Sequence, residues 1–270
     1  MREEALQAAE VCARQMAADG ARVAALASAL RQAPPTALLT IARGSSDHAA
    51  AYMAYLVMAR LGRPVTSLPM SLVTLYQSPL QGQGVASFAF SQSGRSPDLI
   101  EPTRQLRAGG ARTVALVNDA ASPLAEAAEW VLPLHAGPER SVAATKSYIA
   151  QLVAGARLVA AWQQDDHLLA ALHQLPEVLR RAAALDWSPA VEALRGAQRL
   201  YVIGRGTGLA IAQEAALKFK ETCGLHAEAY SSAEVQHGPM ALVGQGFPML
   251  VLAPRGPAQA GVLEIGRAHV

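Results

Sequence analysis

Leu39-Thr-Ile-Ala42-Arg43-Gly44-Ser45 in the first half of the chain is mirrored by Leu200-Tyr-Val-Ile-Gly204-Arg205-Gly206-Thr207 in the second. Each reads as a buried apolar strand that runs into glycine and a small hydroxyl residue before a helix begins. Gly44 and Gly206 stand 162 residues apart (206 less 44), as do Gly62 and Gly224 (224 less 62), with no gap between the pairs. Strand, loop, helix and closing glycine therefore recur as one unit. Strands alternating with helices through short Gly/Ser turns predict a parallel sheet with helices on both faces, an α/β protein.

Working outward, residues 1–32 read as a helix with apolar positions Leu6, Ala9, Ala13, Met16 and Ala17, ended by Pro34-Pro35. A strand over 37–42 and a helix over 47–61 follow, then strands over 65–68 and 85–90 and a helix over 97–107. Strands over 113–117 and 130–134 come next, and a long helix over 139–163 closes the first copy. The expected organisation is an N-terminal helix over 1–32, a phosphate-binding first domain over 33–168, a helical linker over 169–195 and a catalytic second domain over 196–270. Val270 corresponds to Ala108, so the second copy is expected to be truncated, with an incomplete sheet. Residues 264–270 resemble a translated sequencing-library adapter and are read as a foreign tail.

Composition narrows the function. The 270 residues are 51% hydrophobic and 16% charged, enough for a sizeable core and too apolar for long disordered tracts. A net charge of +2 with no polybasic block argues against nucleic acid or an anionic membrane as partner. The longest apolar run, 49–59, is too short to cross a bilayer, and the N-terminus lacks the apolar region of a signal peptide. These features predict a soluble cytoplasmic protein. Cys12 and Cys223 lie far apart in helical segments and read as reduced, buried thiols, and the seven histidines lack helical zinc spacing. No metal and no cofactor is expected.

Phe88-Ala-Phe-Ser91-Gln92-Ser93-Gly94-Arg-Ser96-Pro97-Asp98 is an apolar strand that breaks into hydroxyls and a glycine just before a helix. Hydroxyls and unpaired backbone amides at a helix N-terminus can hold a phosphate dianion without a lysine. The plainer reading is a polar turn with Ser96 as N-cap and Pro97 at the first helical position. The duplication separates the two, because the offset pairs this loop with Ala253-Pro254-Arg255-Gly256-Pro257-Ala258. The glycine survives there and every serine is lost, as expected if the hydroxyls serve a ligand and not the turn.

The second helix carries Glu214, Lys218 and Glu221 at i, i+4 and i+7, which puts three ionisable groups on one face. The first copy has Tyr52, Leu56 and Ala59 at those positions, so the stripe is not a demand of the fold. The segment then runs into Leu225-His226-Ala-Glu228-Ala-Tyr230 and Glu234-Val-Gln-His237-Gly-Pro239, dense in groups able to move protons. A carboxylate suits proton transfer between adjacent sugar carbons and a histidine suits ring opening at neutral pH, roles for which Glu221 and His237 are the candidates. His48 and His226 read as ordinary structural histidines.

These motifs, together with Ala-Arg-Gly-Ser-Ser-Asp and Ser141-Val-Ala-Ala-Thr145-Lys146-Ser, resemble the tandem sugar isomerase (SIS) domains of the isomerase half of glutamine–fructose-6-phosphate aminotransferases, in the family's order over about 38–255. The resemblance implies two flavodoxin-like three-layer domains. It implies that Ser45, Ser46, Ser91, Gln92, Ser93 and Ser96 bind a sugar phosphate and that Glu221 is the base between C1 and C2. Lys218 and Glu214 would be its neighbours, and His237 would open the ring of a sugar held by the partner subunit of a homodimer. Arg95 stands where the family often has Glu, and Ser96 where it has Thr. A chain that begins directly before the first such domain is more similar to stand-alone glucosamine-6-phosphate deaminases, which convert glucosamine 6-phosphate to fructose 6-phosphate and ammonia. The alternatives are a deglycase acting on sugar-phosphate adducts of amino acids, an aminotransferase isomerase module and a non-catalytic sugar-phosphate regulator.

Overall fold

The computed structural model describes residues 1–267 and divides into two compact units, Met1–Ala184 and Leu185–Val270. The reading of 264–270 as a foreign tail falls in part on 268–270, outside the described residues.

The first unit begins with three helices where the sequence suggests one: α1 (Arg2–Leu6), α2 (Ala8–Ala17) and α3 (Gly20–Gln32). The break falls at Asp19, which is left-handed at φ 57° and whose carboxylate pairs with His135 and Arg22. A short acidic side chain tolerates that conformation better than most. The chain continues through β1 (Ala37–Ile41), α4 (Ser45–Leu61), β2 (Val65–Ser67), α5 (Ser71–Thr74), β3 (Val85–Ser91), α6 (Pro97–Ala108), β4 (Arg112–Val117), α7 (Pro123–Ala127) and β5 (Trp130–Pro133). Two long helices, α8 (Lys146–Gln163) and α9 (Asp166–Ala183), complete the unit. All five strands are parallel in the order β2-β1-β3-β4-β5, and Phe88, Phe90, Leu38, Ile41 and Leu116 in the central strands are fully buried. Burial on both faces is why β3 reads as a continuous apolar run and not as an alternating one.

Helix α8 starts at Lys146, seven residues later than the sequence suggests. The Glu139 carboxylate accepts from the amides of Thr145 (3.0 Å) and Ser147 (3.2 Å) and from the Ser147 hydroxyl, capping the helix from outside it. Residues that continue the apolar pattern are thereby held as a loop. α8 packs closely on α4, where Gly155 faces Met53 so tightly that a Cβ would sit 3.0 Å from the methionine Cβ.

The second unit contains α10 (Ser188–Ala193), β6 (Arg199–Gly204), α11 (Thr207–Cys223), β7 (His226–Ser231), 3-10 turns at Glu234–Gln236 and Pro239–Leu242, β8 (Met249–Val251) and α12 (Gln259–Arg267). Its parallel sheet has the order β7-β6-β8. Leu200, Val202 and Ala227 face α11 through Ala212 and Ala216, while Tyr201 and Ile203 pack on Val235, Met240 and Phe247 on the other face. α4 and α11 have the same length, and their preceding glycines adopt nearly the same backbone, φ 56° and ψ −134° at Gly44 against φ 62° and ψ −133° at Gly206. Only glycine adopts that region readily, which is why both positions carry it.

The cysteines depart in part from expectation. Cys12 is buried in α2 and its thiol is pushed up to about 12 by burial, but Cys223 is exposed at the end of α11. Cys223 stands in the last turn, off the stripe that α11 buries. Among the described residues, no helix is long and apolar enough to cross a membrane, and no group of three or more His, Cys, Asp and Glu side chains could hold a metal ion.

Candidate functional site

In the first unit the chain leaves β1 for β2 on one side, then crosses to β3 on the other, so strand order reverses between β1 and β3. Open parallel sheets bind ligands in the crevice that such a reversal leaves at the carboxyl ends of the strands. The register Ile41 to Ala89 sets the loops after these two strands side by side. A contact from Arg43 Nη2 to Asp98 Oδ2 of 2.5 Å clips them together across the crevice. The sequence-predicted phosphate ligands therefore meet at one end of one sheet.

Each hydroxyl there has a definable state. Ser91, buried at the end of β3, accepts from the Gly94 amide at 3.0 Å, and Ser93, exposed, accepts from the Arg95 amide at 3.4 Å. Ser96 is the N-cap of α6 by backbone, φ −72° and ψ 121°, with Pro97 next, yet its side chain makes no capping bond. Its hydroxyl is thus not used by the turn, whereas those of Ser91 and Ser93 are, a departure from the expectation that the hydroxyls do not serve the turn. Gln92 is half-buried beside them. Ser45 and Ser46 open α4 immediately after Gly44. Gly94 is fixed by space as well as by its φ of 66°, since a Cβ would lie 2.1 Å from Ser122 Oγ and 2.9 Å from Val117 Cγ2.

Neither loop contains lysine, and the two nearby guanidiniums are paired, Arg43 with Asp98 and Arg95 with Asp119 at 3.0 Å. Anion binding would then fall to hydroxyls, backbone amides and two helix N-termini. Half-buried Asp47, in the first turn of α4, has its carboxyl raised above the usual range by burial.

In the second unit α11 brings Glu214, Lys218 and Glu221 into one ladder. Lys218 Nζ lies 3.3 Å from Glu214 Oε1 and 2.5 Å from Glu221 Oε2. Glu214 is buried, Lys218 half-buried and Glu221 exposed, so the outermost carboxylate is the one open to solvent. His237 is not brought to this ladder. It follows the turn Glu234–Gln236, exposed, its amide donating to Glu234 O at 2.9 Å, in the segment that covers the sheet face opposite α11. On that face Tyr230 donates to Glu228 Oε2 at 2.9 Å, and its phenol is pushed up to about 12, chiefly by burial. Lys218 also borders an apolar groove of about 620 Å³ between α10 and α11, lined by Trp187, Val191, Leu194 and Phe219. Its polar lining groups are engaged elsewhere, Arg195 with Glu192, Lys218 with Glu214 and Glu221, and Thr222 with Lys218 O, and the rest of the wall is apolar.

Several residues that order the loops and helices of the first unit escaped sequence reasoning. Asn118 holds the loop after β5 through Gly137 O (2.8 Å) and the Ala136 amide (2.9 Å). Glu4 of α1 receives the Arg140 amide at 2.6 Å, and Gln151 of α8 donates to Ser46 Oγ at 3.0 Å. The signal for Gln151 was a polar residue among Tyr148, Ala150, Val153 and Ala154 on a helix face otherwise suited to the core. Glu4 left no signal, because its partners are backbone amides far away in sequence.

Comparison with known proteins places this geometry in a family. The SIS domain matches residues 30–161 and 193–263, and the chain belongs to the SIS domain family. A glutamine–fructose-6-phosphate aminotransferase [isomerizing] of Symbiobacterium thermophilum is 37% identical over 224 residues, 78% of this chain and 36% of that relative. The chain thus spans about a third of the length of the curated relatives it matches. The crystal structure of a "putative phosphosugar isomerase" from Silicibacter pomeroyi superposes with a TM-score of 0.95 at 45% identity, covering 100% of this chain and 84% of that one. The C-terminal domain of the glucosamine-fructose-6-phosphate aminotransferase of Francisella tularensis superposes with a TM-score of 0.81 at 24% identity, over 98% of this chain and 78% of that one, a likeness of fold.

Proposed function

We propose that this protein is a sugar-phosphate aldose–ketose isomerase acting on an amino sugar, and that its reaction is the deamination of glucosamine 6-phosphate. The observation that carries the reading is the meeting of two serine-bearing loops at the β1/β3 crevice, where the duplicated loop after β8 has no serine. Ser45, Ser46, Ser91, Gln92, Ser93 and Ser96 hold the phosphate, which fixes the reacting carbons by binding energy remote from them. His237 moves the proton that opens the ring. The SIS resemblance supports a role for it toward the sugar bound by a partner subunit, with a homodimer as the working form.

Glu221 takes the proton from C2 of the open-chain aldose and returns it to C1. The resulting ketimine at C2 adds water and loses ammonia, leaving fructose 6-phosphate. Lys218 holds the Glu221 carboxylate in place and Glu214 holds Lys218, each through a charge-assisted contact. No metal is needed for any of these proton transfers.

The likeness to aminotransferases favours a second reading in which the same site runs toward glucosamine 6-phosphate as an isomerase module. Purified protein incubated with glucosamine 6-phosphate is expected to yield fructose 6-phosphate and ammonia in equal amounts. Interconversion of fructose 6-phosphate with its aldose isomer, with no ammonia released from glucosamine 6-phosphate, selects the module instead. Release of a free amino acid from a fructosyl-amino acid 6-phosphate, with no ammonia from the amino sugar, selects a deglycase. Binding of fructose 6-phosphate without turnover of any of these leaves a non-catalytic sugar-phosphate binder.

A further inference from the structure

We infer that Gln151 is a positioning residue that aims the Ser46 hydroxyl at the bound phosphate, an inference that rests on the phosphate reading above. Gln151 lies on the face of α8 that packs on α4 and is 1% exposed. Its Nε2 donates to Ser46 Oγ at 3.0 Å, across the junction between these two helices. Its Oε1 is buried with no hydrogen-bond partner.

A serine hydroxyl carries one proton and two acceptor lone pairs, and alone it rotates to suit its surroundings. When Gln151 fills one lone pair with an N–H, the proton of Ser46 has to point elsewhere, and Ser46 faces a dianion as a donor. An acceptor at residue 151 would do the reverse, drawing the proton inward and turning a lone pair toward the phosphate. The unpartnered Oε1 makes the same point energetically. A buried carbonyl oxygen without a partner is destabilising, and a methionine of similar length would fill the same buried space without that cost. A glutamine here therefore sacrifices stability and gains a fixed hydroxyl.

The test measures calorimetric Kd values for inorganic phosphate and fructose 6-phosphate, together with Tm, in the wild type, Gln151→Met, Gln151→Glu, Ser46→Ala and the Gln151→Met/Ser46→Ala pair. Gln151→Met is expected to weaken both ligands about 5- to 10-fold, with Tm unchanged or raised. Gln151→Glu, the same size but an acceptor, is expected to weaken them further. In the Ser46→Ala background Gln151→Met should add nothing, because no hydroxyl remains to be aimed. An unchanged Kd in Gln151→Met, or a penalty that persists undiminished without the Ser46 hydroxyl, overturns the inference. Should Gln151→Met fail to fold, Gln151→Glu alone decides, since unchanged phosphate affinity in that variant is incompatible with the proposal. A wild type that binds neither ligand overturns the phosphate reading itself, and this inference with it.

Discussion

The segments from Gly44 to Gly62 and from Gly206 to Gly224 share a backbone and almost nothing else. Their closing glycines match as well as their opening ones, φ 63° and ψ 23° against φ 62° and ψ 21°. Side chains then diverge. α4 buries Leu56, while α11 carries Lys218 at the corresponding place, between two carboxylates. The loops after β3 and β8 diverge in conformation as well, with Gly94 at φ 66° wedged against Ser122, and Gly256 at φ 142°, where an added Cβ would meet nothing within 4 Å. The two segments agree where the backbone demands glycine and differ in the side chains that the turns between those glycines carry.

The contrast between the two helices makes Glu221→Gln the largest expected effect. General acid–base groups contribute about 10²- to 10⁴-fold, so kcat for glucosamine 6-phosphate should fall by about 10³-fold while the Kd of fructose 6-phosphate changes less than about twofold. Ala59, exposed at the equivalent place in α4, is the control: Ala59→Gln should leave kcat unaltered. Equal losses in both variants would erase the asymmetry between the copies.

Next in size is the contrast between the two loop glycines. Gly94→Ala combines positive φ with a Cβ 2.1 Å from Ser122 Oγ, so strain and overpacking together should cost about 2–4 kcal/mol in chemical denaturation and abolish phosphate binding. Gly256→Ala meets open space and should cost only its backbone strain, about 1–2 kcal/mol. Ser93→Ala is milder. Losing one hydroxyl donor to a charged group should raise the Kd for fructose 6-phosphate by about 10-fold and leave kcat at saturation within about twofold. Unchanged affinity would remove Ser93 from the anion site.

What the sequence made legible follows from how local each cause is. The alternation of strand and helix, the glycine-marked loops and the Glu214–Lys218–Glu221 stripe depend on spacing along the chain, and spacing is what a sequence displays. The late start of α8 depends on Glu139 reaching forward to the amides of Thr145 and Ser147, which competes with an apolar pattern that continues through the loop. The break at Asp19 depends on partners such as His135, over a hundred residues away. The opposite placement of α11 and His237 required knowing which face of the sheet the 3-10 turns cover, and Tyr201 and Ile203 alternate with Leu200 and Val202 to decide it. Gln151 showed itself only as an oddity on an apolar helix, because its meaning lies in Ser46, 105 residues earlier.

The smallest expected effect concerns the loop between β5 and α8, which the N-terminal helix holds through Glu4. Hydrogen bonds from Ser141 and from the Arg140 amide lower the Glu4 carboxyl from 4.5 to about 2. A group whose folded-state value is depressed stabilises the fold fully above its unfolded value, near 4.5 here, and that contribution disappears as pH falls through about 2. Thermal unfolding of the wild type and Glu4→Gln should therefore differ by a constant amount above pH 5, with the wild type more stable, and converge between pH about 4.5 and 2. The second unit offers the internal reference, since Glu192 is also lowered by a hydrogen bond, from Arg195, but on an exposed surface where screening leaves such pairs little net value. Glu192→Gln should leave the pH profile of Tm superposable on the wild type. A Glu4→Gln profile that runs parallel to the wild type down to pH 2 would mean that packing of α1, and not its carboxylate, holds the loop.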